Sequence, residues 1–229
     1  MIWHVPGPYR DPNRPASERL TDAGAGFSLP APETTESVRM VPLHALESRA
    51  AWLDQVATLF YAAVPDYYDL IPLPMSERLT FIRAQLRRKV GGVCPTVIAL
   101  GAQGVLGAYE AFPASELEET RLSGVLSLLR AIPAQARAVA RTRMNIHGKG
   151  LPPAPADTIY LSRLATAPAH RGRGIGHLML RDLFARQAGN SFSLHVRSSN
   201  VRAMALYEET GFRPVDTRLV YHLMVRMAD

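Results

Sequence analysis

Cysteine is almost absent from this chain of 229 residues: Cys94 stands alone. One thiol excludes an internal disulfide and any zinc site built from several cysteines. Pro95 follows it directly and no His/Asn signature surrounds it, so the thiol reads as a buried or loop group rather than a nucleophile. Lysine is nearly as scarce, at Lys89 and Lys149, and the net charge of +6 rests almost wholly on arginine. The arginines are scattered, and no aromatic residues are interleaved with them in a stacking pattern, which argues against a nucleic-acid partner. A basic balance still asks for an acidic partner, and a small polyanionic ligand fits better. Long apolar runs are missing too. The stretch Val97 to Phe112 is broken by Gln103 and Glu110, short of the roughly 18 to 20 apolar residues of a membrane span. Met1 to Arg10 holds no apolar core of signal-peptide length. The expectation is a soluble, cytoplasmic protein with no metal and no membrane partner.

What is present suffices for one sizeable core. Residues 1–36 are rich in Pro, Gly, Ser, Thr and charge without an apolar period, and read as a disordered or loosely packed N-terminal arm. The domain proper is expected over 37–229. Ser37 to Val41 reads as a first strand. Leu46, Leu53, Val56, Leu59, Phe60 and Val64 fall on one helical stripe. Pro65 and Pro72 bound an aromatic loop holding Asp66, Tyr67, Tyr68 and Asp69. Ser76 is the candidate cap of a second helix, Glu77 to Lys89. Thr96 to Leu100 and Val105 to Phe112, joined by Gly101-Ala102-Gln103-Gly104, read as a hairpin. Residues 114–150 read as a helical insertion, two helices broken at Pro133. Its bland reading is a surface segment with a solvated arginine face; its functional reading is a lid over a substrate site.

The informative segment follows. Thr158 to Thr166 reads as a strand that ends before Pro168. Then come Arg171, Gly172, Arg173, Gly174, Ile175 and Gly176, and an apolar stripe through Leu178, Met179, Leu183 and Phe184. The spacing predicts strand, glycine turn and helix N-terminus. Glycines allow positive φ and close backbone approach, while the unpaired amides and positive dipole end of the first helical turn favour an anion. In physical terms this is a pyrophosphate site, with Arg171 and Arg173 adding full charges. A P-loop would need Gly-Lys-Ser/Thr at the end of the turn, but His177 and Leu178 follow Gly176. A dinucleotide fold would need GxGxxG and an acidic residue about 20 positions on; here the spacing is GxGxG and the next strand ends in Arg197.

Arg-x-x-Gly-x-Gly preceded by Leu164-Ala165-Thr166-Ala167-Pro168 resembles the signature of the GCN5-related N-acetyltransferase (GNAT) superfamily. The string Asn200, Ala203, Leu206, Tyr207, Gly211, Phe212 resembles that superfamily's C-terminal motif at the expected distance. The resemblance is firm over Tyr160 to Phe212 and extends through element order from Ser37 onward. It implies an α/β fold: a mixed, mostly antiparallel sheet of about six or seven strands flanked by about four helices, here with the extra helical insertion. It also implies acetyl-CoA as cosubstrate and transfer of the acetyl group to an amine, with both substrates bound and no covalent enzyme intermediate.

Residue by residue, the resemblance implies that the strand before Pro168 splays from its neighbour at a bulge. Backbone groups of Leu164, Ala165 and Thr166 then meet the pantetheine arm, and Arg171 to Gly176 meet the pyrophosphate. Asn200 is half helix cap, half cofactor contact. Tyr207 stands where the family's general acid stands, beside the departing sulfur. A phenol near ~10 is a weaker acid than a thiol near ~8.5, so full transfer would be uphill by roughly 2 kcal/mol, which favours a hydrogen-bonded or concerted role. Many relatives place a Glu on the strand before the glycine turn; this strand offers Ser162 and Arg163 instead. The base stays open among Glu110, Asp157, His195 and water. Asp66, Tyr67, Tyr68 and Asp69 are candidates for holding a cationic amine, with Glu110 and His195 as further acceptor-site candidates. A zwitterionic or polyfunctional small molecule is favoured over a bare polyamine. The alternative is a CoA-binding or regulatory protein on the same fold without turnover. The oligomeric state is open, a homodimer being one option.

Overall fold

The computed structural model describes residues 37–228, apart from 47–48, 65–67, 70, 91–94 and 103; the expected arm lies outside the described residues. All that follows concerns the unit Thr34–Asp229. Strand β1 (Arg39–Pro42) leads to helices α1 (Arg49–Ala63) and α2 (Met75–Leu86). The hairpin β2 (Thr96–Gly101) and β3 (Gly104–Pro113) is followed by α3 (Leu117–Ala131) and α4 (Ala134–Lys149). Then come β4 (Thr158–Thr166), α5 (Ile175–Arg186), β5 (Ser191–Arg197), α6 (Val201–Glu209), β6 (Arg213–Arg218) and β7 (Tyr221–Arg226).

The strands form one seven-stranded sheet in the order β1-β2-β3-β4-β5-β7-β6. Every neighbouring pair is antiparallel except β4 and β5, which run parallel. Both faces are covered, and the sequence shows it by alternation. Along β2, Ile98 and Leu100 pack toward α1 and α2, whereas Val97 and Ala99 pack toward α5 and α6. No helix among the described residues is long and apolar enough to cross a membrane.

Local chemistry explains the breaks. Ile132 is extended (φ −81°, ψ 137°), as the residue before Pro133 prefers, and α3 ends there. Leu128, Ile132 and Ala140 nevertheless join the core over α1 and α2, so this helical pair is anchored by its own apolar side. Helix α2 starts at Met75 after Pro74 rather than from a Ser76 cap, because proline satisfies the first-turn geometry without one. Val64, expected on the buried stripe of α1, lies past its end and is exposed.

Candidate active site

The site is built around strand β4. Against β3, Glu110 pairs with Arg163 but Ala111 pairs with Leu161, so Ser162 is the extra residue of a bulge. A bulge reverses the facing of everything after it. Ile159 and Leu161 face α5 and α6, and beyond the bulge Leu164 again faces that layer, while Arg163 and Ala165 turn toward α1 and α2. On its other edge β4 pairs with β5 only at Thr158, Ile159 and Tyr160. Past that rung the two strands part. Ala167 N donates to Leu106 O on β3 (2.8 Å). Antiparallel alternation therefore aims the backbone groups of Thr166 and Leu164 at the opposite edge, into the opening that β5 leaves.

The opening leads to the glycine turn. Gly172 and Gly174 both adopt φ 76°, and Gly174 is the residue before α5. A Cβ built at either would meet nothing within 4 Å. These glycines therefore answer a backbone conformation, and the space before them is free for a ligand. Gly176 is different. A Cβ there would lie 2.9 Å from Leu206 Cδ2, so this glycine lets α5 approach α6 and has only its amide to offer a ligand. The first helical bond runs from Leu178 N to Gly174 O (3.0 Å), leaving the amides of Ile175, Gly176 and His177 ahead of it. Arg171 is exposed and its Nε donates to Thr166 O (3.4 Å), while Arg173 is exposed beside it. Ile175, Met179, Leu180 and Leu183 bury the helix's inner face. Tyr109 Oη donates to Asp182 Oδ2 (2.6 Å), which also accepts from Arg186 Nε (2.7 Å), fixing α5 to the sheet.

Helix α6 closes the far side. Asn200 caps it, its side chain accepting from Ala203 N at 3.3 Å. Gly211 (φ 95°) ends it, and Phe212 N returns to Tyr207 O at 2.9 Å. The fully buried Phe212 ring packs edge-on against Tyr207 (5.7 Å between centroids). Tyr207 is thus held from both ends, buried, with no hydrogen bond to its hydroxyl among the described residues. Burial pushes its ionisation well above the ordinary phenol value, and the neighbouring Tyr160 adds to this.

The acetyltransferase (GNAT) family matches residues 116–212. Over that segment the chain resembles the GNAT superfamily. The chain is 44% identical over 55 residues to the N-alpha-acetyltransferase RimI of Mycobacterium tuberculosis, covering 24% of this chain and 35% of that protein. It is 34% identical over 116 residues to a tRNA-acetylating toxin of the same organism, covering 48% and 64%. The chain thus spans less than two thirds of either relative. A solved N-acetyltransferase from Staphylococcus aureus Mu50 shares the fold, with a TM-score of 0.61 at 20% identity over 82% of this chain and 99% of that one.

The residues expected at the acceptor site separate. Glu110 and Arg163 form a buried pair at 3.2 Å, and Arg163 also donates to Gln85 Oε1 (2.6 Å) over the Phe60 ring. The carboxylate is thus committed to a cation. Asp157 is exposed. Tyr68 corrects an expectation: its side chain is wholly buried and stacks on Tyr61 at 6.0 Å, so it is a core residue and not a ligand wall. Apolar burial of the ring outweighs keeping it in a loop. Asp69 is held by Arg78 and by Tyr61 Oη (3.0 Å). Asp66 and Tyr67 lie outside the described residues. His195 meets Tyr160, whose hydroxyl lies 2.9 Å from Nδ1. Tyr160 escaped the sequence reading because a tyrosine among aliphatic strand residues carries no motif; only the partner 35 positions away gives it meaning.

Proposed function

We propose that this chain is an N-acetyltransferase that moves an acetyl group from acetyl-CoA to a primary amine on a small molecule, by direct attack with both substrates bound. The observation that carries the reading is the opening between β4 and β5, which runs from a turn with free space before Gly172 and Gly174 to the buried Tyr207. In this reading 37–229 is the catalytic domain, 1–36 an arm and 114–150 an insertion, at work in the cytoplasm.

The residues present fit the cosubstrate. The amides of Ile175, Gly176 and His177, with Arg171 and Arg173, would hold the pyrophosphate. Backbone groups of Leu164 and Thr166, flanking Ala165, would extend the sheet toward the pantetheine arm, with Asn200 at its edge. When bound, acetyl-CoA supplies an acyl carbon activated as a thioester. Positioning then does most of the work, and a strand amide can polarise the carbonyl. Burial raises Tyr207 further above a thiol's acidity, so complete proton transfer to sulfur is more uphill than the roughly 2 kcal/mol between the free groups. Its hydroxyl therefore acts as a hydrogen-bond donor that yields its proton in concert with departure of the sulfur.

Two relatives named for different acceptors, an N-alpha group and tRNA, do not agree on one for this chain. A second reading, a CoA-binding protein without turnover, is favoured by one observation: β4 carries no carboxylate and Glu110 is tied to Arg163. Thiol release from acetyl-CoA, measured over a panel of amino acids, polyamines, aminoglycosides and peptides, separates the two. Release with at least one small amine is expected. CoA binding by calorimetry with no release from any amine would leave the regulatory reading.

A further inference from the structure

Thr96, Glu110 and Arg163 stand in one row across β2, β3 and β4, each directly opposite the next. The row points toward α1 and α2. Arg163 lies over the Phe60 ring at 5.4 Å, and its Nη2 donates to Gln85 Oε1 at 2.6 Å. The layer around it is otherwise apolar. Glu110 is buried and Thr96 wholly so. Arg163 Nη1 meets the Glu110 carboxylate at 3.2 Å, longer than the about 2.7–2.9 Å of a tight charge-assisted bond. The Thr96 hydroxyl has no hydrogen-bond partner among the described residues. A buried hydroxyl left so costs stability, and valine would fill the same space without that cost. Directly opposite side chains of an antiparallel pair stand about 4.5–5.5 Å apart at Cβ. The Glu110 carboxylate can therefore turn from Arg163 to the Thr96 hydroxyl by side-chain rotation alone. Arg163 follows Tyr160, where the β4–β5 ladder stops, and so borders the opening. A Cβ built at Gly124 would lie 3.5 Å from Gln85 Nε2, so α3 of the insertion sits over the group that orients the guanidinium.

We infer that Arg163 binds a carboxylate carried by the acceptor amine, and that Glu110 turns to Thr96 as it does so. The inference rests on the transferase reading above and names its acceptor class: amino acids whose amine stands close to a carboxylate. Charge balance leads to that class. In the free protein Glu110 and Arg163 cancel. A bare amine, entering as ammonium, would add a charge to a layer where an uncompensated charge is costly. An amino acid brings both signs. Its carboxylate takes the planar fork of the Arg163 guanidinium, a geometry suited to it. Its ammonium offsets the displaced Glu110, and the Thr96 hydroxyl donates to that displaced carboxylate. The buried hydroxyl is thus the donor held in reserve for the exchange. Reach sets the spacing between amine and acid. Arg163 adjoins Leu164, whose backbone lines the opening, so an amine held at the acyl carbon has its carboxylate nearby and not at the end of a long chain. Arg163 and Thr96 are specificity-determining residues here, with Gln85 as the positioning residue that ties the guanidinium to α2.

The test measures thiol release from acetyl-CoA with L-amino acids, each against its own carboxamide, which keeps the amine and the side chain and removes the acid. Wild type should favour the acids by about tenfold or more in kcat/KM, as one charge-assisted hydrogen bond would give. A Glu110→Gln/Arg163→Gln double variant removes the guanidinium without stranding a buried carboxylate. Its acid-to-amide ratio should fall by roughly 10- to 150-fold, and Arg163→Lys should recover part of the ratio, with CoA affinity by calorimetry within twofold throughout. Thr96→Val should raise KM for the acids by roughly two- to tenfold without lowering Tm, because the hydroxyl makes no bond in the free protein. Should the double variant not fold, the wild-type preference and the Thr96→Val shift decide. Amides used as well as acids by wild type, or a double variant whose ratio is unchanged because both classes slow alike, overturns the assignment of Arg163. An unmoved acid KM or a lowered Tm in Thr96→Val overturns the exchange. Each of these leaves the transferase reading standing. Wild-type protein that releases thiol with no amine ends both.

Discussion

Gly174 separates stability from binding, and its replacement tests the glycine turn. Its φ is 76° and a Cβ would meet no atom within 4 Å. Alanine there clashes with nothing and costs only the left-handed conformation, about 1–2 kcal/mol. For a domain of this size that is a fall in Tm of roughly 2–8 °C, taking about 2–4 °C per kcal/mol. Asparagine tolerates the left-handed region better and should cost less. Either side chain nevertheless projects into the space before Ile175. One charge-assisted hydrogen bond lost from an anion is about 1.5–3 kcal/mol, or roughly 10- to 150-fold in Kd. Gly176→Ala is the counterpart. Its Cβ would stand 2.9 Å from Leu206 Cδ2, the tip of a flexible side chain that can turn aside, so stability should change by no more than about 1 kcal/mol and CoA affinity should change less than at Gly174. Calorimetric titration with CoA and scanning calorimetry give both quantities. The order expected for affinity loss is Gly174→Asn above Gly176→Ala. A Gly174→Asn protein that binds CoA within twofold of wild type refutes the assignment of the turn.

Three further outcomes follow from the same geometry. Tyr207→Phe keeps the ring against Phe212 and removes the hydroxyl; turnover should fall about ten- to a thousandfold with CoA affinity nearly unmoved, and wild-type turnover would make Tyr207 structural. Arg171→Ala should weaken CoA binding at low salt, and the gap from wild type should narrow as ionic strength rises, because the side chain is exposed. Phe212→Ala removes a fully buried ring at the end of α6 and should cost about 3–5 kcal/mol in urea unfolding; a cost below about 1 kcal/mol would mean the α6 terminus is not anchored as described.

The parts of this site readable from sequence are those fixed by local backbone chemistry. Positive φ at Gly172, Gly174 and Gly211, the Asn200 cap and the break at Pro133 each depend on a few adjacent residues. So does the apolar stripe of α5. What was hidden depends on register. The resemblance implied a bulge in this strand, but its place at Ser162 exists only relative to β3, and it alone puts Leu164 on one face and Arg163 on the other. The Tyr160–His195 contact needs β4 and β5 aligned side by side. Gly176 looks like a third ligand glycine until Leu206 is seen against it. Asp69 and Tyr68 look like loop residues with a free acid and a free phenol until Arg78 and Tyr61 claim them.

The position of the site follows from an imbalance in the sheet. A strand interior must pair its backbone donors and acceptors on both edges, and an unpaired group away from water is costly. On its β3 edge β4 is paired from Ile159 to Thr166, across the bulge. On its β5 edge pairing stops at Tyr160, yet Leu161, Ala165 and their neighbours remain part of the core. Water can satisfy such an edge, but an extended amide-bearing ligand satisfies it better, because it repeats the spacing of a strand. The pantetheine arm of CoA carries amide groups of that kind. In the proposed reading, the N-terminus of α5 at one limit of the gap and Tyr207 at the other set the direction in which such a ligand lies. The proposed CoA site therefore rests on the interrupted parallel ladder more than on any single side chain.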